Sequence, residues 1–243
     1  MLFNKELLPL KSNSYEPDAL SGKVVLITGA GSGLGAALAA AFSQLGAELI
    51  LLGRDKKKLS ETSDTIVSAG APAPLLLSYD FAQLNQSSAN NLAHAVAEHV
   101  EKIDIIIHAA AHVGSLTPIG HYPEQQWHRV MQINCHAPMM LTQAILPLLK
   151  RPDESTCLFI NDEHAIHAHP YWGAYAAAKM ALSTVFKMWA EELADNTGIN
   201  FIEFTPGPMQ TALRANAYPG DPSGKNPLPE AYVSAILAEI LHR

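Results

Sequence analysis

The sequence predicts an α/β domain: a doubly wound, parallel sheet of six strands with helices on both faces. Three observations lead there. Short continuous apolar runs, such as Val24-Val25-Leu26-Ile27, alternate with longer helical patterns, as strands do when crossover helices bury both their faces. The first run opens into a glycine-rich turn, Thr28-Gly29-Ala30-Gly31-Ser32-Gly33-Leu34-Gly35, inside which a helix begins. With 243 residues, 48% apolar and 16% charged, the chain can bury one self-supporting core and has no bias toward disorder. Crossovers between parallel strands are right-handed almost without exception, which makes double winding the economical topology.

Taken in order, residues 1–20 lack periodicity, carry Ser12, Asn13, Ser14 and Pro17, and read as a surface arm before a single domain, 21–243. A strand at 24–27 is followed by an Ala- and Leu-rich helix at 34–45, which Gly46 ends. Then come a strand at 48–52, a charged helix at 56–68, a strand at 74–79, a helix at 87–100 and a strand at 103–108. A long helical pattern spans 123–149, with Pro138 and Pro147 expected to kink it. A strand at 156–160, a helix at 172–194, a strand at 200–204 and a helix at 229–241 complete the set. Between the last two, the segment 206–229 holds six prolines and three glycines and reads as a loop long enough to act as a lid.

Composition excludes several classes of function. A formal net charge of −7 offers no footprint for nucleic acid or an anionic membrane, and the Lys56-Lys57-Lys58 run reads as a solvated helix face. The two cysteines, Cys135 and Cys157, lack paired spacing, which argues against a disulfide framework or a zinc site and fits a reducing compartment. Charged residues break up the apolar N-terminal runs, and the most apolar long window still carries Ser43, Gln44 and Glu48. A cytoplasmic protein without a signal peptide or membrane span is expected.

Chemistry enters through the glycine turn and through Tyr175-x-x-x-Lys179. In the turn, glycines let a pyrophosphate approach the backbone, and a helix N-terminus offers free N–H groups and positive potential. In the pair, positions i and i+4 share a helix face, so a lysine cation can lower the phenol's pKa from about 10. A tyrosine tuned in that way exchanges protons near neutral pH.

Together these motifs resemble the classical short-chain dehydrogenase/reductases over residues 20–240. Thr28-Gly29-x-x-x-Gly33-x-Gly35 resembles the family's cofactor turn, and Asp80-Phe81 the pair that contacts adenine. Asn134 matches the catalytic asparagine, and Pro206-Gly207-x-x-x-Thr211 the segment that closes over the nicotinamide. Leu52-Gly53-Arg54, the stretch 141–149 and the stretch 211–219 look most like the bacterial YciK-type branch.

The resemblance implies a Rossmann-type fold and a hydride exchanged between a nicotinamide cofactor and the carbonyl or alcohol group of a small molecule. Tyr175 is then the general acid/base, Lys179 its tuner and a holder of the ribose, and Asn134 the anchor of a relay water. Gly29, Gly31, Ser32, Gly33, Leu34, Ala109 and Ala110 are implied to contact the cofactor, with Arg54, Asp80, Phe81, Pro206, Gly207 and Thr211. Gly53-Arg54 stands where NAD enzymes carry an acid, so NADP is expected over NAD. A homodimer paired through the 123–149 and 172–194 helices is also implied.

Three departures stand against the matches. Counting back thirteen residues from Tyr175, the family's catalytic serine is replaced by Asp162. An ionised Asp162 cannot donate to a carbonyl, repels an oxyanion and raises the pKa of Tyr175. Three readings are open: a protonated Asp162, a one-residue shift that presents Asn161, or a substrate carrying a cation. The family's Asn-Asn-Ala-Gly appears as His108-Ala109-Ala110-Ala111, where Ala111 is expected to crowd the ribose. No segment follows the last helix to form the family's seventh strand, which weakens the expectation of a tetramer. A rival reading is therefore a cofactor-binding homologue with little or no dehydrogenase activity. His164-x-x-His167-x-His169, with His108, His112, His121, His128 and His136, raises metal chemistry as a third idea, although no metal ligands are expected.

Overall fold

The computed structural model describes residues 15–16, 18–222 and 224–241. The predicted surface arm therefore lies, for residues 1–14 and 17, outside the described residues. The strands are β1 (Val24–Thr28), β2 (Glu48–Gly53), β3 (Leu75–Ser78), β4 (Ile105–His108), β5 (Ser155–Ile160) and β6 (Ile199–Phe204). They form one sheet in the order β3-β2-β1-β4-β5-β6, parallel throughout. The chain winds outward from β1 to β3, crosses back to β4, and winds out again on the other side.

Alternation along β1 shows how the two faces are filled. Val24 and Leu26 pack into one core with α3 (Gln86–Ala97), α5 (Ala137–Leu149) and α7 (Gly173–Leu193). Val25 and Ile27 pack into the other with α1 (Gly33–Gln44), α2 (Lys56–Ser68) and α9 (Val233–Leu241). No helix among the described residues is long and apolar enough to cross a membrane.

Where the sequence predicts one kinked helix at 123–149, the chain runs as α4 (Glu124–Met131), a π-helical turn (Gln132–His136) and α5. The irregularity precedes Pro138. Proline has no N–H to return to the carbonyl of residue 134, and the Ala137 N–H reaches back five residues to Gln132 O instead. Two further helices are α6 (Glu163–Ile166), in a stretch to which the sequence assigns no element, and α8 (Ala212–Ala217), in the stretch predicted as loop. Each starts at a side-chain cap: Asp162 accepts from the His164 N–H, and Thr211 from the Arg214 N–H.

Asp104 locks the entry to the sheet. Only 2% exposed, its carboxylate accepts from the Val24 N–H at 2.9 Å, Lys102 Nζ at 2.9 Å and Lys23 Nζ at 3.2 Å. Burial alone pushes its pKa up, but the Val24 N–H and the two lysines outweigh that and hold it below the usual value. Asp104→Ala leaves the Val24 N–H unpaired, and denaturant unfolding should show a loss of about 2–3 kcal/mol. A carboxyl with a lowered folded pKa stabilises above its unfolded pKa, so this contribution should fade as the pH falls below 3.8 in the parent and be missing in the variant.

Candidate active site

A cavity of about 480 Å³ opens at the C-terminal end of the sheet, where the order reverses between β1 and β4. Ligands of doubly wound folds bind in that crevice. Its floor is the glycine turn. At Gly29, φ is +70° and a β-carbon would stand 2.7 Å from Ala110 Cα, while at Gly35 it would stand 2.5 Å from the Gly29 carbonyl oxygen. Any side chain at either point would push the turn off the sheet. Ser32 precedes α1 in extended conformation without a side-chain cap bond, so the first N–H groups of this twelve-residue helix stay available to an anion.

At one end of the cavity lie Arg54, Lys58, Asp80 and Phe81. Arg54 is exposed, and its guanidinium makes no hydrogen bond or ion pair among the described residues. Asp55 beside it is spent on the α2 N-terminus, accepting from Lys57 N and Lys58 N. The Asp80 carboxylate caps its own turn through the Ala82 N–H and lies 4.0 Å from Arg129. At the other end are Asp162, Glu163, His164, Trp172, Tyr175 and Lys179, with Pro206, Gly207 and Thr211 from the predicted lid. Tyr232 Oη donates to Pro208 O at 2.9 Å and anchors that segment.

Of the sequence-predicted site residues, Asn134 alone does not line the cavity. Its buried amide accepts from the His112 N–H at 3.0 Å and donates to His112 O and Val130 O at 2.8 Å. It thereby pins the π turn to the loop after β4.

The Tyr175–Lys179 pair differs from expectation. Lys179 Nζ donates to Ile160 O at 2.6 Å and stands 4.7 Å above the Phe159 ring. Burial draws its pKa down to about 8, against the opposing charges of Asp162 and Glu203. Tyr175 Oη donates to Asp162 Oδ2 at 3.1 Å. Burial first, then the charge and hydrogen bond of Asp162, raise its pKa well above that of a free phenol. In this arrangement burial and Asp162 set the direction of the tyrosine's pKa.

Asp162 acts as an acceptor on every side: Oδ2 from Tyr175, Oδ1 from the His164 backbone N–H at 2.9 Å and, at 2.7 Å, from His164 Nδ1. Its side chain stays 22% exposed. The Asn161 amide is held in place, donating to Glu203 Oε1 at 2.6 Å and accepting from the Asp162 N–H at 2.8 Å. Ala111 does not strain the backbone: Asp18, Ala168 and Tyr171 are the non-glycine residues with positive φ among those described, and Ala111 is exposed at the cavity edge. His108 is buried, bonds Thr142 Oγ1 through Nε2 at 2.8 Å, and is kept neutral by burial, which takes its pKa to about 3.

Geometry and comparison agree. The short chain dehydrogenase family model matches residues 23–221. The chain belongs to this family. It is 33% identical to the uncharacterized oxidoreductase YciK of Escherichia coli K12 over 207 residues, which is 84% of this chain and 81% of that protein. A short chain dehydrogenase structure from Pseudomonas syringae superposes with a TM-score of 0.91 at 35% identity, covering 95% of this chain and 94% of that one. Another, from E. coli CFT073 in complex with NADPH, gives 0.89 at 30% identity, with 93% of each chain covered. As in these family members, the sheet is a Rossmann-type parallel sheet with helices on both faces.

Sequence reasoning missed the group that organises the acidic end. His164 stacks on Trp172 with ring centroids 4.0 Å apart, and its Nε2 lies 2.8 Å from Tyr218 Oη on the lid. Its spacing to His167 and His169 suggested a metal; no group of three ligating side chains converges among the described residues. The better signal was its place two residues after Asp162, where a side chain can return to the residue that caps its own helix.

Lys179 is a cation below a pH of about 8 and neutral above it. If the cation is the working form, reductive turnover should fall as the pH rises through 8, and a pH–rate profile of Lys179→Met should lack that limb.

Proposed function

We propose that the protein is an NADP(H)-dependent oxidoreductase acting on the carbonyl or alcohol carbon of a small molecule. The observation that carries this is a single cavity holding the uncapped, glycine-lined α1 N-terminus at its centre and the Tyr175 hydroxyl at its far end. The residues fit a dinucleotide: the Gly29–Ala110 approach leaves room for backbone alone, and the first N–H groups of α1 would hold the pyrophosphate. When bound, the nicotinamide supplies or accepts the hydride.

NADP is favoured over NAD because no acid stands at Gly53 and Arg54 is uncommitted. The NADPH and NADP complexes of the E. coli and Shigella flexneri structures support the same choice. Tyr175 holds the proton for the substrate oxygen, and Lys179 stands behind it as a donor to the ribose. Asn134 acts by fixing the loop after β4 rather than by touching substrate. Asp162, held by His164, takes the place of the family's serine. Burial and then its charge raise the pKa of Tyr175, so the phenol stays protonated, the form that gives rather than takes a proton, which favours reduction over oxidation.

Pairing of two copies is supported by an exposed α7 face that carries Ala177, Met180, Thr184 and Met188. A cytoplasmic setting is supported by two free, buried cysteines.

Fluorescence titration with NADPH and NADH tests the cofactor. Arg54→Ala should weaken NADPH by about 10–100-fold and leave NADH nearly unchanged. Tighter NADH binding by the parent protein overturns the preference. Tight NADPH binding without turnover across a carbonyl panel moves the protein to the cofactor-binding reading.

A further inference from the structure

We infer that the substrate carries an ammonium group on the carbon next to the reacting one: an α-amino ketone, reduced to a vicinal amino alcohol. The inference rests on the oxidoreductase reading and names the substrate class of that same site.

Charge is divided along the cavity. The end near Arg54 and Lys58 also holds Asp55 and Asp80, but those carboxylates cap backbone N–H groups, which leaves the Arg54 guanidinium to a phosphorylated ribose. The Tyr175 end carries Asp162 and, at the rim, Glu163. Its two cations are already answered. Arg214 is bound to Asp221 Oδ2 at 2.7 and 3.0 Å, and Lys179 is flanked by Asp162 and Glu203. The reacting end therefore presents a carboxylate oxygen, Asp162 Oδ2, whose hydrogen-bond partner among the described residues is the same hydroxyl that must deliver a proton.

That arrangement is unfavourable for a neutral ketone. The Tyr175 O–H is spent on Asp162 at 3.1 Å, and a carbonyl oxygen brought to it meets an anion. A neighbouring ammonium reverses both effects. It donates to Asp162 Oδ2, frees the Tyr175 hydroxyl, and leaves that hydroxyl to bond the carbonyl. The spacing suits such a molecule: nitrogen and oxygen on adjacent carbons stand about 3 Å apart by ordinary bond lengths. Tyr175 Oη and Asp162 Oδ2 are 3.1 Å apart. Trp172 and Tyr175, with ring centroids 5.5 Å apart, give the cation an aromatic wall. His164 keeps the carboxylate turned inward by holding Oδ1 from its backbone N–H and from Nδ1.

In the step itself, the carbonyl carbon gains the hydride and its two electrons from the reduced cofactor. The C=O π pair moves to oxygen, and Tyr175 Oη gives that oxygen its proton. Solvent restores the tyrosine proton, and the ammonium is unchanged.

Matched pairs test the inference: aminoacetone against 2-butanone, and 2-amino-1-phenylethanone against propiophenone, with NADPH oxidation as one readout. Binding of 1-amino-2-propanol against 2-butanol, by saturation-transfer NMR with and without NADP+, is the other. The amine member should win by about 10–100-fold in kcat/KM, and only the amino alcohol should bind. Asp162→Asn should erase both preferences while keeping the melting temperature and NADPH affinity. Asp162→Ser should turn the preference toward neutral ketones, and Glu163→Gln should weaken the amine preference only slightly. Equal or faster reduction of the neutral ketones overturns the inference but leaves the oxidoreductase reading standing. So does an amine preference that survives Asp162→Asn, or reduction of cyclic imines with the amino ketones ignored. A protein that binds no NADPH fails the oxidoreductase reading, and amine binding without cofactor still decides the charge pairing.

Discussion

Just beyond the ends of β1 and β4 the backbone of Gly29 meets that of Ala110, and the site depends on that contact. Gly29 lies against Ala110, and the Ala110 N–H reaches back to Thr28 Oγ1 at 3.2 Å. Because the sheet winds away from this seam in both directions, the loops after β1 and β4 diverge and leave a crevice. Close approach of the two backbones also sets where α1 starts, and so where its free N–H groups point. A larger residue at position 29 would move the helix as well as fill the gap. Fold and anion site are thus one constraint seen at two scales.

At the far end, the electrostatics is a competition for a single phenol. The family arrangement expected from the sequence makes a lysine the dominant neighbour of the tyrosine. Here Lys179 is turned to the Ile160 carbonyl and Asp162 takes the phenol's hydrogen. Burial disfavours the phenolate, and the carboxylate disfavours it further. His164 ties this balance to the lid through Tyr218, whose ring also carries Arg214 at 3.7 Å. The environment of the Tyr175 hydroxyl thus extends to residues more than forty positions downstream in the chain.

Much of the fold was legible because the four inner strands, buried on both faces, are largely apolar, and all six predicted strands fall within a residue or two of the observed ones. The glycine turn was legible because its spacing reflects a backbone requirement that no other residue meets. Other features were not legible, for identifiable reasons. Four-residue α6 and six-residue α8 are too short to show a period and are set by caps at Asp162 and Thr211. The direction of Lys179 depends on which acceptor the fold brings near it. The hold of Glu203, on the neighbouring strand, on the Asn161 amide depends equally on the register of the fold. The Asp162 substitution was visible from counting alone, but its partner His164 was masked by a histidine-rich stretch that suggested metal.

The π turn before Pro138 has a consequence for the helix that contains it. A turn of this kind takes up about one residue more than an α turn, so α5 is rotated by roughly 90–100° from the face that α4 would have continued. Val130, on α4, packs with Val113, Trp172 and Tyr175. Leu141, Ile145 and Leu148, on α5, pack against the sheet. An unbroken α-helix would direct its whole apolar stripe to one neighbour. The inserted residue splits that stripe between two destinations, the wall behind Tyr175 and the central sheet, and Asn134 sits at the point where the phase changes.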